Sequence, residues 1–320
     1  MAPMDAASTE PLVDYDEFGL FHENASEYGL ALTHPPIVRR VEVDVPGSGR
    51  VSGLLWGEGS PEIVLLHGGA QNAHTWDTVV LALGRPLFAV DLPGHGHSGW
   101  RDDGGYTPAN MADDVAIAIE RFAPDASLVV GMSMGGMTSI ALAARHPHLV
   151  RRLCLVDITP GVDRAKTKAI TDFINGPQSF PSFQSLLDRT VEHNPTRTLS
   201  SLRRGILHNA KQLEDGSWQW RYDRSSHGRA PAADQSLDEG GQDAIGAAMN
   251  PLWDDFERIA VPIMLARGST SPVVDDADVA EARRRQPSLR VEVVEGAGHS
   301  IQGDRPLELA ALIQDFSPGE

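Results

Sequence analysis

The sequence predicts an α/β fold: a mainly parallel sheet flanked by helices, with a mostly helical lid inserted after the sixth core strand. Three observations point there. Apolar strand runs alternate with helix-period segments from residue 37 to 157, and again from 259 to the end. Between them, from 158 to 258, the alternation gives way to a polar, mostly helical pattern. At 128–146, LVVGMSMGGMTSIALAARH, a run of β-formers breaks at glycine and becomes a small-residue helix with almost no pause.

Taken in order, the leader 1–35 has seven acids and no Lys or Arg, yet carries Tyr15, Phe18, Phe21 and Tyr28. A wholly disordered tail would have fewer aromatics, so its second half is expected to pack on the domain or on a neighbouring subunit of a homo-oligomer. Two β-type runs follow, IVRRVEVDV and VSGLLWG, then the continuous apolar strand EIVLLHG, a helix-like stretch and the strand of PLFAVDLPGHGHSG. TPANMADDVAIAIERFA has helical spacing behind a threonine cap. SLVVGMS, the helix to His146 and RLCLVD repeat the unit, which implies right-handed crossovers and parallel strands.

The insertion reads as helices over AKTKAITDFI, FQSLLDRTV and TLSSLRRGILHNAKQL, interrupted by DGSWQWRYD and by the loop-prone APAADQSLDEGGQD. The alternation returns with PIMLARG, DADVAEARRRQ, LRVEVVEG and PLELAALIQDF. The expected organisation is an acidic extension 1–35, a core of 36–157 and 259–320, and a lid 158–258. Such a lid would sit over the strand ends, where open α/β sheets bind ligands.

Composition bounds the function. With 27 Lys+Arg against 44 Asp+Glu the formal charge is -17, which repels nucleic acid and anionic membrane, and no basic tract offsets it. The N-terminus lacks a basic region followed by an apolar core, and no run is long enough to span a bilayer, so a cytoplasmic protein is expected. The single cysteine, Cys154, lies in an apolar strand and reads as a core side chain. No cofactor or metal motif is found, so the expected partner is a small-molecule substrate.

The chemistry centres on Ser133. A strand followed at once by a helix forces a tight turn whose tip is strained, and Gly131 and Gly135 are the close neighbours that such a turn demands. The turn lifts the Ser133 hydroxyl clear of the sheet and aims the first amides of the helix beside it; a helix-capping serine needs none of this. A hydroxyl is a poor nucleophile until a base takes its proton. Of the twelve histidines, His299 in VVEGAGHS follows the last strand in a glycine-flanked loop at the same end of the sheet. His67, His74, His95 and His97 read as loop-shaping or solvated residues. Asp157, in LCLVDITP, ends a buried apolar strand and needs a hydrogen-bonding partner to stay charged, which an imidazole N–H would supply.

The order HGG (67–69), DLPGHGHSG (91–99), GMSMGG (131–136), a long insertion and GAGHS (296–300) resembles the α/β-hydrolase superfamily over residues 40 to 318. The resemblance implies Ser133 as nucleophile, His299 as base, and an oxyanion hole from the backbone N–H groups of Met134 and Gly69, with Ala70 as the alternative to Gly69. The family's acid usually follows the strand after the lid in a G-x-x-D pattern. Here Gly268-Ser269-Thr270-Ser271 puts a serine in its place. Some members draw the acid from the position of Asp157; Asp275, Asp276 and Asp278 are its rivals, read otherwise as a helix N-terminal cluster.

A serine nucleophile sets this chain apart from the dehalogenases and epoxide hydrolases of that fold, which use Asp. The first loop, HGGAQNAHTW, lacks the glycine-proline-glycine common in carbon–carbon hydrolases. Hydrolysis of a carboxylic ester through an acyl-enzyme is the reading that remains, with thioester, lactone or C–C hydrolysis, or non-catalytic ligand binding, as alternatives. The insertion's cations, among them Arg189, Arg197, Arg203, Arg204 and Arg221, read mainly as solvated helix faces, with one or two able to clamp a substrate carboxylate. Chain length and the Ser133 to His299 spacing are similar to those of bacterial monoalkyl phthalate hydrolases. Phe173 and Trp218, with Phe180 and Phe183, are the candidates for lining a substrate pocket.

Overall fold

The computed structural model describes residues 12–162, 164–194, 197–224 and 251–317. Its centre is an eight-stranded sheet: β1 (Val38–Val45), β2 (Gly49–Trp56), β3 (Ile63–Leu66), β4 (Leu87–Asp91), β5 (Leu128–Met132), β6 (Leu153–Val156) and, beyond the insertion, β10 (Ile263–Gly268) and β11 (Arg290–Val294). They lie in the order β1-β2-β4-β3-β5-β6-β10-β11. β2 runs antiparallel to both neighbours and the remaining pairs are parallel.

The central strands are apolar throughout because helices cover both faces. Along β3 the faces alternate. Val64 and Leu66 join a core built with α3 (Pro108–Phe122), α4 (Met134–Arg145) and α9 (Asp276–Arg285), while Ile63 and Leu65 join one built with α2 (Asp77–Leu83) and α11 (Pro306–Phe316). Cys154 faces the second core, fully buried, and burial pushes its thiol up to about 12, so it carries no chemistry. Thr107 caps α3 through its side chain, as its sequence signal predicts. No helix among the described residues is long and apolar enough to cross a membrane.

The insertion between β6 and β10 contains α5 (Arg164–Ile174), α6 (Phe183–His193) and α7 (Leu199–Asn209). It also holds a three-stranded antiparallel sheet in the order β7-β9-β8, made of Ser179–Phe180, Trp218–Trp220 and Ala210–Gln212. The alternation in WQW and the turn at Gly216, with φ at 84°, make that hairpin, so the interruption in the helical pattern is a sheet. Leu186, Ile206, Trp218 and Tyr222 form a separate small core. APAADQSLDEGGQD lies outside the described residues, and 251–258 are helical (α8).

The leader packs on both parts. Phe21, in α1 (Phe21–Glu27), packs its ring at a tilt against Trp56 of β2 at a centroid distance of 4.7 Å, and Glu27 binds Arg204 of α7.

Candidate active site

The carboxyl ends of β3, β5 and β6 meet where the strand order reverses about β3, the place such sheets reserve for ligands. Among the described residues three non-glycine residues have positive φ, and each lies just past one of those strands: Ala70 (57°), Ser133 (50°) and Asp157 (52°). Each such backbone costs about 1–3 kcal/mol and persists where surrounding contacts over-determine it. At Ser133 those contacts are glycine-dependent. A Cβ on Gly135 would lie 2.3 Å from the Leu66 carbonyl oxygen, and one on Gly131 would lie 2.5 Å from that of Gly135. The HGG loop runs alongside: a Cβ on Gly68 would stand 3.3 Å from that of Ser133.

Ser133 donates its backbone N–H to the Val156 carbonyl at 3.2 Å, which places the elbow beside the end of β6 and its next residue, Asp157. Asp157 is fully buried, and its carboxylate is completely engaged. Oδ2 accepts from His299 Nδ1 at 2.8 Å and from Ser271 Oγ at 2.5 Å, while Oδ1 accepts from the Gly268 backbone N–H at 2.9 Å. Ser271 stands where the family resemblance expects the acid, and it serves instead as a donor to the acid on the neighbouring strand. No sequence signal identified that role.

The rival carboxylates are placed elsewhere. Asp275 caps α9, accepting from the Ala277 and Asp278 N–H groups, and with Asp278 it holds Lys166. Asp276 pairs with Arg267. The structure therefore brings Asp157 and not Asp275 onto His299, because a residue at a helix N-cap spends its oxygens on that helix. Ala70 also drops out as an oxyanion donor, since its N–H donates to His95 Nε2 at 3.1 Å. His95 Nδ1 donates to the Pro93 carbonyl, and His67, buried, receives the Leu92 N–H on Nε2 while donating from Nδ1 to the Gly68 carbonyl. Both are structural imidazoles that shape the loops around Ser133. Met134 is the first residue of α4 and Gly69 lies in the loop after β3.

A family model described as alpha/beta hydrolase fold matches residues 61–306. The chain belongs to the α/β-hydrolase fold family. Among curated proteins, this α/β-hydrolase is 42% identical over 314 residues to the esterase Rv0045c of Mycobacterium tuberculosis, covering 96% of this chain and 97% of that one. A crystal structure of that esterase superposes with a TM-score of 0.79 over 95% of this chain and 99% of the other. A 2-(acetamidomethylene)succinate hydrolase of Mesorhizobium japonicum is 27% identical over 284 residues, 88% of this chain and 95% of that protein. A crystal structure of such a hydrolase matches with a TM-score of 0.72, at 25% identity over 88% of this chain and 98% of that one.

In this α/β-hydrolase a cavity of about 180 Å³ opens between the core, the insertion and the leader; it reaches Ser300, next to His299, while Ser133 and His299 themselves lie outside its lining. Gln71, Ser300 and Gln302 form its core wall, and Phe173, Arg197, Arg204 and Trp220 its insertion wall. Phe173 thus reaches the cavity. Trp218 does not: it packs edge-on against Phe183 in the insertion's own core. Trp218 and Trp220 point to the same face of their short strand, and only the second extends to the cavity wall.

The hydrolase has a second buried polar cluster that sequence reasoning missed. His74 donates from Nδ1 to Asp77 at 3.0 Å and from Nε2 to Glu17 of the leader at 3.1 Å, and its ring stacks on His208 of α7 at 3.9 Å. Burial alone would pull its pKa down, but Asp77 and Glu17 outweigh that and hold it at about 9. Glu17 also binds Arg40, which reaches Asp91 at 2.7 Å. Asp91, fully buried, accepts from the Ala73 and His97 N–H groups as well. His208 receives the Tyr15 hydroxyl at 2.6 Å.

Proposed function

We propose that this α/β-hydrolase is a serine hydrolase that cleaves the carboxylic ester of a small organic molecule through an acyl-enzyme. The observation that carries the reading is the His299–Asp157 hydrogen bond formed beside the strained Ser133 elbow. Asp157, held by Ser271 and Gly268, fixes the imidazole with Nδ1–H toward itself, which leaves Nε2 as the basic nitrogen. That nitrogen takes the Ser133 proton as Oγ attacks the ester carbonyl. The Met134 N–H, at the positive end of α4, and the Gly69 N–H receive the oxyanion. Collapse of the tetrahedral intermediate releases the alcohol with the proton from His299. A water molecule, activated by the same imidazole, then frees the acid.

The insertion acts as a lid whose α7 and small sheet close the cavity beside the His299 loop. Support for a substrate with a second acidic group, such as a monoalkyl phthalate, comes from the arginines in the insertion wall of that cavity and from a relative whose named substrate is a substituted succinate.

The test is a panel of p-nitrophenyl esters, monoalkyl phthalates, lactones and acyl thioesters on the wild type and Ser133→Ala. A fluorophosphonate should label Ser133, and Ser133→Ala should lose turnover of every substrate by about a thousandfold or more. Turnover that survives the substitution, or the absence of any adduct on Ser133, sinks the reading.

A further inference from the structure

Two arginines of the insertion enter the cavity, and their surroundings differ. Arg204 has a charge partner: it binds Glu27 and the Ser200 hydroxyl, although its Nε–H, like that of Arg197, is buried and meets no acceptor among the described residues. Arg197 donates from Nη2 to Ser201 Oγ at 2.6 Å, and among the described residues no carboxylate lies within ion-pair distance of it. Its Nε–H is buried and meets no acceptor there. Burial draws its pKa below the ordinary arginine value, against the weaker pull of Asp304, Tyr28 and Glu27. The carboxylate in the described cavity wall, Asp77, is spent on His74.

The position of that guanidinium is built in. It lies against Gly303 so closely that a Cβ there would come within 2.0 Å of Nη1. Glycine at 303, in the short helix α10 (Ile301–Asp304) that starts just after His299, admits the cation there. A guanidinium drawn out of water without a carboxylate partner is costly, since buried charges are ordinarily paired. A planar guanidinium without a charge partner matches a carboxylate, which it can bind through two parallel hydrogen bonds.

We infer that Arg197 forms a carboxylate subsite in this cavity, so that the enzyme selects esters whose acyl part carries a second, free carboxylate: half-esters of dicarboxylic acids. The inference rests on the esterase reading of Ser133 and goes beyond it by assigning recognition of the acid group to one residue. Arg197 here positions substrate, and Ser133 and His299 do the chemistry.

The experiment uses two matched ester pairs, monobutyl phthalate against butyl benzoate and monobutyl succinate against butyl propanoate. The full-length wild type is compared with Arg197→Gln, Arg197→Lys and Gly303→Ala. Arg197→Gln should raise KM for both half-esters by about tenfold to a hundredfold, the worth of hydrogen bonds to a charged group, with kcat nearly unchanged. The neutral esters should be cleaved as before. Arg197→Lys keeps the charge without the fork and should fall between. Gly303→Ala, which leaves the arginine in the chain but pushes it off its seat, should reproduce the KM effect.

Equal effects on charged and neutral members of both pairs, or none on either, would overturn the subsite. Calorimetry of phthalate and succinate binding to Ser133→Ala separates the two readings, since it needs no turnover. Binding that is lost on adding Arg197→Gln supports the subsite even if fluorophosphonate labelling fails and the esterase reading falls. Binding that survives Arg197→Gln removes the subsite and leaves the esterase reading untouched.

Discussion

Among the described residues two imidazoles hydrogen-bond a buried aspartate, His299 to Asp157 and His74 to Asp77, with donor–acceptor distances of 2.8 and 3.0 Å. What separates them is the second nitrogen. In His74 it donates to Glu17, so both ring nitrogens carry protons and the ring is a fixed cation at neutral pH. In His299 one nitrogen is held by Asp157, itself at a strained backbone position, and the side chain, 12% exposed against 3% for His74, lies in a loop with no second carboxylate on it among the described residues. An acid against a histidine is therefore no sign of catalysis by itself. The His74 cluster gathers Glu17 of the leader, Arg40 of β1 and His208 of α7, and it works as a clamp joining three parts of the chain.

The sharpest way to break the comparison is to make the same change in both pairs. Asp157→Asn should lower kcat by about a thousandfold to ten-thousandfold, the scale expected when the orienting acid of such a triad is neutralised. Asp77→Asn should leave the kcat for a neutral ester within a few-fold. Steady-state kinetics of the two variants on one ester decide it, and comparable losses would erase the distinction drawn here. Stability should respond in the opposite sense. Asp77→Asn removes one of the two carboxylates that hold the buried His74 imidazolium, leaving Glu17, and should cost up to about 3–5 kcal/mol, read by urea unfolding, the scale for removing one partner from a buried pair.

The clamp should also show in the pH dependence of stability. The folded-state pKa of His74, at about 9, lies above the ordinary histidine value of about 6.5, so folding binds its proton more tightly. That contribution is fully present below pH of about 6.5 and is lost as pH rises through about 9. Unfolding free energy should fall across that window in the wild type, by no more than about 1.4 kcal/mol per pH unit from this group, and the melting temperature should fall with it. His74→Phe should flatten the slope, and an unchanged slope would mean that the proton is held elsewhere.

The parts of the fold that could be read were those coded locally. The apolar runs of β3, β5 and β6 and the glycines around Ser133 act on residues a few positions away, so their pattern is visible in the chain. Asp157 was legible because a carboxylate ending an apolar strand must find a donor. The same argument applies to Asp91, at the end of LFAVD, whose partner is Arg40 and not a histidine. The sequence states that a partner must exist but not which one, because Arg40 lies 51 residues from Asp91 and His299 lies 142 from Asp157. Glu17, His74 and His208 were invisible for that reason, and Trp218 and Trp220 could not be told apart by a periodicity that gives both the same face.

Ser271 offers the smallest and most discriminating change. It occupies the position where the acid was expected, and its hydroxyl donates to the oxygen of Asp157 that also receives His299 Nδ1. Ser271→Ala removes one of the carboxylate's donors and leaves the Gly268 N–H and the imidazole in place. At about 1 kcal/mol for such a bond, kcat should fall about fivefold, with KM little altered. If the two positions truly serve one site, the acid should be movable. Asp157→Ser combined with Ser271→Asp places a carboxylate on the other side of the same oxygen position, and it should recover at least about tenfold of the activity lost in Asp157→Ser alone, since orientation of the imidazole is the quantity at stake. A double variant no more active than Asp157→Ser would show that the strained backbone at 157 positions the carboxylate in a way that residue 271 does not reproduce.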